Sequence, residues 1–314
     1  MEKVIIDCDN TIGKPLAEID DGLTILYLLG RKDIELLGIT NCYANASLKE
    51  VEYWTDRFLH DIDRLDILRF SGKPFSGQNS TEWFLKHWGH HFIDEKKSQN
   101  APSEAALFLV NQATKHPGSI TILALGSMTN LLEAWELDNK FFKKIKKILL
   151  MGGVEPGTVL REHECIELNL ACNPAAAYKV LHNNDCPVVV MNAKTCFDAP
   201  FGHEDMNRIS FWPERRKQMV REWIGVFQGV FYLWDLLPAV YLSYPELFDS
   251  QKIKIASTIQ DLEKGLLIRG AVGSEILMPE HILNPELFMQ ILTDAWESEW
   301  QSEKNGWIEI VQNS

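Results

Sequence analysis

Four aspartates lie close together near the start of the chain. Asp7 and Asp9 follow the apolar run Val4-Ile5-Ile6, and Asp20 and Asp21 open a segment of helical periodicity that stops at Gly30. Acids at a helix start are ordinary caps, stabilised by free N–H groups and the positive end of the helix dipole, which accounts for Asp20 or Asp21. Capping gives no reason for Asp7 and Asp9 at a strand end. Carboxylates crowded at a buried strand end repel one another, and a hard cation with oxygen ligands relieves the repulsion. A fifth acid, Asp235, stands behind Trp234 in the apolar stretch 224–242. Gln228, Asp235 and Pro238 interrupt that stretch, so it reads as a buried helix carrying a functional acid, not a membrane span. The chemistry suggested by the five acids is cation binding or acid–base catalysis.

Such acids need a scaffold that brings strand ends together. Apolar, β-branched runs predict strands at 4–6, 34–40, 67–70, 120–125, 145–151, 188–191 and 252–257. Between them, helices are predicted at 20–29, 47–60 (capped by Ser47, with Glu50 three residues on), 103–115 and 128–136. Further helices follow Asn173-Pro174, fill most of 213–241 and close the chain near 285–296. Regular alternation predicts an α/β fold: a single domain spanning 1–314, an open, mostly parallel sheet with helices on both faces and ligands at the carboxyl ends of its strands.

Composition sets outer bounds. The 314 residues carry 31 Lys and Arg against 44 Asp and Glu, a formal charge of −13, so a nucleic-acid polymer is not an expected partner. No membrane span or secretory signal is read. Six cysteines without a C-x-x-C pair read as reduced, mostly buried thiols, and the expected compartment is cytoplasmic.

Two families are evoked by the acidic turn. Asp7-Cys8-Asp9-Asn10-Thr11 is similar to the D-x-D-x-T opening of Mg²⁺-dependent haloacid-dehalogenase-type phosphatases, in which the first Asp is the nucleophile. The same segment taken with Asp20-Asp21 resembles the D-x-D-x-x-x-D-D signature of the nucleoside hydrolases, except that ten residues, 10–19, stand where that pattern has three. Later segments decide for the second family. Gly38 to Asn45 resembles its second-strand segment, and Ala124-Leu125-Gly126-Ser127-Met128-Thr129-Asn130 its G-P-L-T-N turn. Met151-Gly152-Gly153 matches its M-G-G strand end, Glu167-Leu168-Asn169 its E-F-N segment, and Trp234-Asp235 its late metal-binding segment. No late G-D-x-x-x-D phosphatase motif is present.

The resemblance implies a Rossmann-like sheet and Ca²⁺-dependent cleavage of N-ribosides. Asp9, Asp21, Asp235 and the Leu125 carbonyl would hold Ca²⁺, which lowers the pKa of a bound water. Asp9 would be the general base, with Asp7 behind it. Asp20, Asn45, Glu167 and Asn169 would bind sugar hydroxyls, with Met151 beneath the ribose. One branch of the family has a His before the late Asp; here it is Trp234, as in a purine-preferring branch where Trp stacks on the base and a second aromatic faces it. Trp83 and Trp88 are the candidates for that second ring. Indole is not an acid at neutral pH, so Trp234 would act by stacking. Arg161 stands where the family often has an Asn facing the 5′-hydroxyl. The implied partners are a nucleoside and further copies of the chain in a homodimer or homotetramer. A phosphatase using Asp7, or a catalytically weak nucleoside-binding protein, are the alternatives.

Overall fold

The computed structural model describes residues 1–76, 82–92 and 101–312, with side chains as far as Lys304. Its principal elements, in chain order, are β1 (Glu2–Cys8), α1 (Asp20–Gly30), β2 (Ile34–Asn41), α2 (Leu48–Asp61), β3 (Arg69–Ser71) and α3 (Glu82–Trp88). There follow α4 (Glu104–Lys115), β4 (Ile120–Ala124), α5 (Thr129–Leu137), β5 (Lys147–Met151), α6 (Leu168–Cys172), α7 (Pro174–Leu181) and β6 (Val188–Met191). The last are α8 (Glu214–Val226), α9 (Leu236–Ser243), β7 (Phe248–Ile255), β8 (Ser274–Ile282) and α10 (Pro285–Gln312).

An eight-stranded sheet in the order β7-β8-β6-β5-β4-β1-β2-β3 organises the chain. All pairings are parallel except β7 with β8 at one edge. Because successive side chains on a strand point to opposite faces, Val4 and Ile6 of β1 enter one core and Ile5 the other. The first core receives α1, α9 and α10, and the second α4, α5 and α7. Parallel strands covered on both faces must be apolar throughout, which is why the runs at β1, β4, β5 and β6 were legible. Gly30 closes α1, where the sequence reading stopped the helix, and a Cβ there would lie 1.8 Å from the Ala295 carbonyl, so the glycine also lets α10 press onto α1. The side chain of Trp296 locks the same pair, donating from Nε1 to the Leu23 carbonyl at 2.9 Å.

Two helices carry the expected side-chain caps, whereas neither Asp20 nor Asp21 caps α1: its N-cap is Ile19, without a side-chain bond, and both acids lie in the first turn. Ser47 Oγ accepts from Glu50 N–H, and Asn173 Oδ1 from Ala176 N–H. The long apolar stretch also departs from its expected form. The stretch 224–242 is not a single helix: α8 ends at Val226, Gln228 and Gly229 take left-handed φ of 52° and 115°, and Val230–Tyr232 pairs antiparallel with Pro200–Gly202. Asp235 therefore sits in a turn immediately before α9. Glycine tolerates that φ freely, so Gln228-Gly229 is the signal that marked the break.

Candidate active site

Parallel β1 delivers Asp7 and Asp9 to the carboxyl end of the sheet, α1 returns Asp20 and Asp21 in its first turn, and Asp235 arrives from the turn before α9. Asp9, Asp20, Asp21 and Asp235 are 0–3% exposed. Oxygens of Asp20, Asp21 and Asp235 lie within 4.8 Å of one another, and the Asp235 N–H donates to Asp20 Oδ2 at 3.3 Å. Asp9 adjoins them, its Oδ2 accepting from the backbone N–H of Asn45. Asp9 Oδ1, Asp20 Oδ1 and both Asp21 oxygens are buried without a partner. Burial pushes Asp9 up to about 7 and Asp20 to about 6. For Asp21 and Asp235, burial and the neighbouring carboxylates both push the pKa well above the usual range. Buried, unpaired carboxylates persist only with protons or a cation, so the donor set fits a hard divalent ion. Gly126 leaves room for the Asp9 carboxylate: a Cβ at that position would meet Asp9 Oδ1 at 2.6 Å.

Asp7 faces elsewhere. Its Oδ1 accepts from Thr40 Oγ1 at 2.6 Å and from Asn130 Nδ2 at 2.7 Å, which ties β1 to β2 and α5. Burial still raises it to about 7. A nucleophile with one oxygen committed twice and no face on the cavity does not suit phosphoryl transfer.

Above the carboxylates opens a cavity of about 300 Å³, bordered by Glu18, Asp20, Asn45, Leu125, Met151, Glu167, Asn169, Trp88, Trp234 and Asp235 among others. Glu167 caps α6, accepting from the N–H groups of Asn169 at 2.6 Å and Leu170 at 2.9 Å, and burial lifts its carboxyl to about 7. Asn169 Nδ2 donates to the Leu125 carbonyl at 2.7 Å and the Met151 carbonyl at 3.2 Å. The Leu125 oxygen, expected on the cation, is thus already bonded to Asn169, with its second lone pair left over. Asp20, expected on the sugar, both borders the cavity and belongs to the converging carboxylate group.

Aromatic rings form the outer wall. Trp234 is half-buried, set edge-on to Tyr232 (5.5 Å) and Phe197 (5.9 Å). Trp88 borders the cavity; Trp83 does not, and packs against His87 and Trp88 instead. Five residues along a helix turn the side chain by about 140°, so the two tryptophans of α3 cannot face the same space. Arg161 also lies outside the cavity. At the tip of the hairpin pairing Val159–Leu160 with His163–Glu164, it donates to the Val230 carbonyl at 2.6 Å and covers the Phe227 ring at 5.7 Å. A larger cleft of about 770 Å³, bordered by Tyr43, Lys73, Thr129 and Asn173, contains none of the expected site residues.

The family described as inosine-uridine preferring nucleoside hydrolase matches residues 4–305. The chain belongs to that family. Nucleoside hydrolase relatives include the probable uridine nucleosidase 1 of Oryza sativa subsp. japonica, 29% identical over 273 residues, covering 80% of this chain and 79% of that protein. A plant nucleoside hydrolase, PpNRh1, superposes with a TM-score of 0.76 at 20% identity over 94% of this chain and 98% of its own. The purine-preferring ribonucleoside hydrolase from Gardnerella vaginalis superposes with a TM-score of 0.76 at 19% identity, over 95% of this chain and 99% of its own. At those identities the superpositions speak for the fold, an α/β sheet shared with nucleoside hydrolases.

Sequence reasoning missed three features of this nucleoside hydrolase. Thr40 and Asn130, which hold Asp7, were inside recognised segments but had no pattern of their own. Phe227 borders the cavity at the break in the helix that was expected to be continuous. Glu18, in the ten-residue loop, also borders it, and its only signal was an acid two residues before Asp20.

Proposed function

We propose that this nucleoside hydrolase cleaves the N-glycosidic bond of ribonucleosides, purine ribosides above pyrimidine ones, with Ca²⁺ held by Asp9, Asp21, Asp235 and the free lone pair of the Leu125 carbonyl. The observation that carries the reading is one cavity that touches the buried carboxylate cluster through Asp20 and Asp235 and carries indole and phenyl rings on its wall. Its volume of about 300 Å³ suits a nucleoside. Bound Ca²⁺ would supply positive charge that acidifies water and orients sugar hydroxyls.

The chain's own residues do the rest. Asp9, held by the Asn45 N–H, takes the proton from the attacking water. Asp20, Asn45 and Glu167 accept or donate to sugar hydroxyls, and Asn169, whose amide nitrogen is spent on two carbonyls, offers its Oδ1. A site built around hydroxyl partners discriminates strongly against sugars that lack them. Met151 forms the apolar floor under the ribose. The sugar becomes oxocarbenium-like as the bond breaks, so departure of the base limits the reaction unless the base is activated. Trp234, which shares the cavity wall with Trp88 and Phe227, stacks on the base and eases its protonation by solvent. The free cysteines, five of them buried, fit a reducing, cytoplasmic setting.

Chelation followed by add-back of Ca²⁺ or Mg²⁺ tests the proposal, with inosine, uridine and a phosphomonoester assayed side by side. Ribose release restored by Ca²⁺, faster from inosine than from uridine, is the expected result. Phosphate release with both nucleosides untouched would overturn the assignment, and faster uridine cleavage would overturn the base preference. Tight nucleoside binding without ribose would favour a binding protein.

A further inference from the structure

The loop 10–19 is a built structure. Asn10 Oδ1 accepts from Ile12 N–H at 3.1 Å, and Thr11 Oγ1 donates to the Glu18 carbonyl at 2.8 Å. Ile12 and Ile19 are buried, and Gly13 (φ 93°) and Leu16 (φ 59°) turn the chain between them. Lys14, the one basic residue of the loop, is committed to Glu50 at 2.7 Å. Anchored at both ends, the loop carries Glu18 to the cavity wall, where its carboxylate meets that of Asp20 and the side chain of Asn45.

That wall is rich in acceptors: the chain's own donors there are the Asn45 side chain, which bonds Glu18, and the Asp235 N–H, which bonds Asp20 Oδ2. Asp20 is 1% exposed and borders the same cavity, with its Oδ1 buried and unpartnered. Among the described residues no Lys, Arg or His pairs with Glu18 or Asp20. Two facing carboxylates beside an amide are relieved by hydroxyl donors brought by a ligand, and each such charge-assisted bond is strong.

We propose that Glu18 is a specificity-determining residue that accepts a hydrogen bond from a sugar hydroxyl of the substrate, so that the ten-residue loop reads the sugar instead of merely covering it. The inference rests on the riboside reading of the cavity. The substrate class it implies is an uncharged riboside with that hydroxyl free, since a phosphate ester there would face two carboxylates.

The test compares wild type, E18A and E18Q of the full chain in Ca²⁺ with inosine and its 2′-, 3′- and 5′-deoxy analogues. On inosine, E18A is expected to lower kcat/KM about tenfold to a hundredfold, the range for one hydrogen bond to a charged acceptor. On the one analogue that lacks the partner hydroxyl, the loss should shrink to less than about threefold. E18Q, which keeps an acceptor oxygen in the same shape, should recover part of the loss and carries the test should E18A not fold. An equal loss on inosine and all three analogues, or no loss on inosine, overturns the inference. The melting shift induced by each nucleoside gives the same comparison without turnover. A wild type that releases no ribose from any of them fails the functional reading, while the binding pattern still decides the role of Glu18.

Discussion

The floor and the mouth of the cavity are built by opposite strategies. The floor hangs on the carboxyl end of β1, the first turn of α1 and the turn before α9, and its acids are almost wholly buried, several of their oxygens without a partner. The mouth is assembled from peripheral pieces: α3, the turn after α8 and the residue before Asp235, all half-buried and held by edge-to-face ring contacts. Chemistry that depends on fixed charge belongs on the rigid part, because preorganised charge is worth most where it cannot relax. Recognition of a flat base tolerates the looser part, because ring stacking falls off gently with displacement.

The sharpest way to break this contrast is to neutralise the floor. Asp21→Asn and Asp9→Asn are each expected to lower kcat/KM by at least about a thousandfold, the scale of losing a charged group that acts in the transition state. Asp21→Asn should also weaken Ca²⁺ binding in a direct titration. Undiminished Ca²⁺ affinity in that variant would move the ion elsewhere.

The floor also leaves a signature in stability. Without metal, Asp7 and Asp9 lie at about 7, Asp20 at about 6 and Glu167 at about 7, all raised chiefly by burial above the ordinary carboxylate range. Between about pH 4 and pH 7 the folded protein then holds protons that the unfolded chain has released, so stability falls as pH rises, by about 1.4 kcal/mol per pH unit for each proton retained. Bound as proposed, Ca²⁺ would take the place of the protons at Asp9, Asp21 and Asp235 and disfavour the one on neighbouring Asp20, so it should flatten the slope. Glu299, raised to about 7 by burial near Arg216, keeps a part of the slope that metal does not touch. Melting curves at pH 5, 6 and 7 with EDTA or Ca²⁺ check this. Parallel slopes would show that the floor does not hold the ion.

The same division governed what could be read beforehand. The floor was legible because a parallel strand must be apolar, and Asp7 and Asp9 at its end violate that pattern for a reason. Asp20, Asp21 and Asp235 followed from caps and from an acid in an apolar run. The mouth was only half legible. A tryptophan carries no sign of which way it faces until the helix phase is known, so Trp83 and Trp88 looked equivalent. Phe227 was hidden by the assumption of one helix over 224–242, although Gln228-Gly229 marked the break. Glu18 was invisible for another reason: a loop with no periodicity gives no direction to its side chains. The strand β8, second from the sheet's edge, was missed because its Pro279, Glu280 and His281 dilute the apolar signal, and only pairing with β7 and β6 makes it a strand.

At the mouth, Trp234→Ala is expected to lower kcat on inosine about tenfold to a hundredfold, in line with the loss of one stacked face, and to change kcat on a nitrophenyl riboside by less than about threefold. A nitrophenolate leaves without activation, so equal losses on the two substrates would mean that Trp234 shapes the fold and does not act on the base.

The finest test separates the two tryptophans of α3. Trp88 borders the cavity, and Trp83 reaches it only through the ring of Trp88, 5.4 Å away and nearly perpendicular. Trp88→Ala should therefore raise KM for inosine about tenfold if, as proposed, its ring contacts the base in ground and transition states alike. Trp83→Ala removes support from the far side of Trp88, and its expected effect is below about threefold. The double variant should match Trp88→Ala alone, because Trp83 has nothing to position once Trp88 is gone. Additive losses would place Trp83 in its own contact with the substrate, and the mouth would then be as preorganised as the floor.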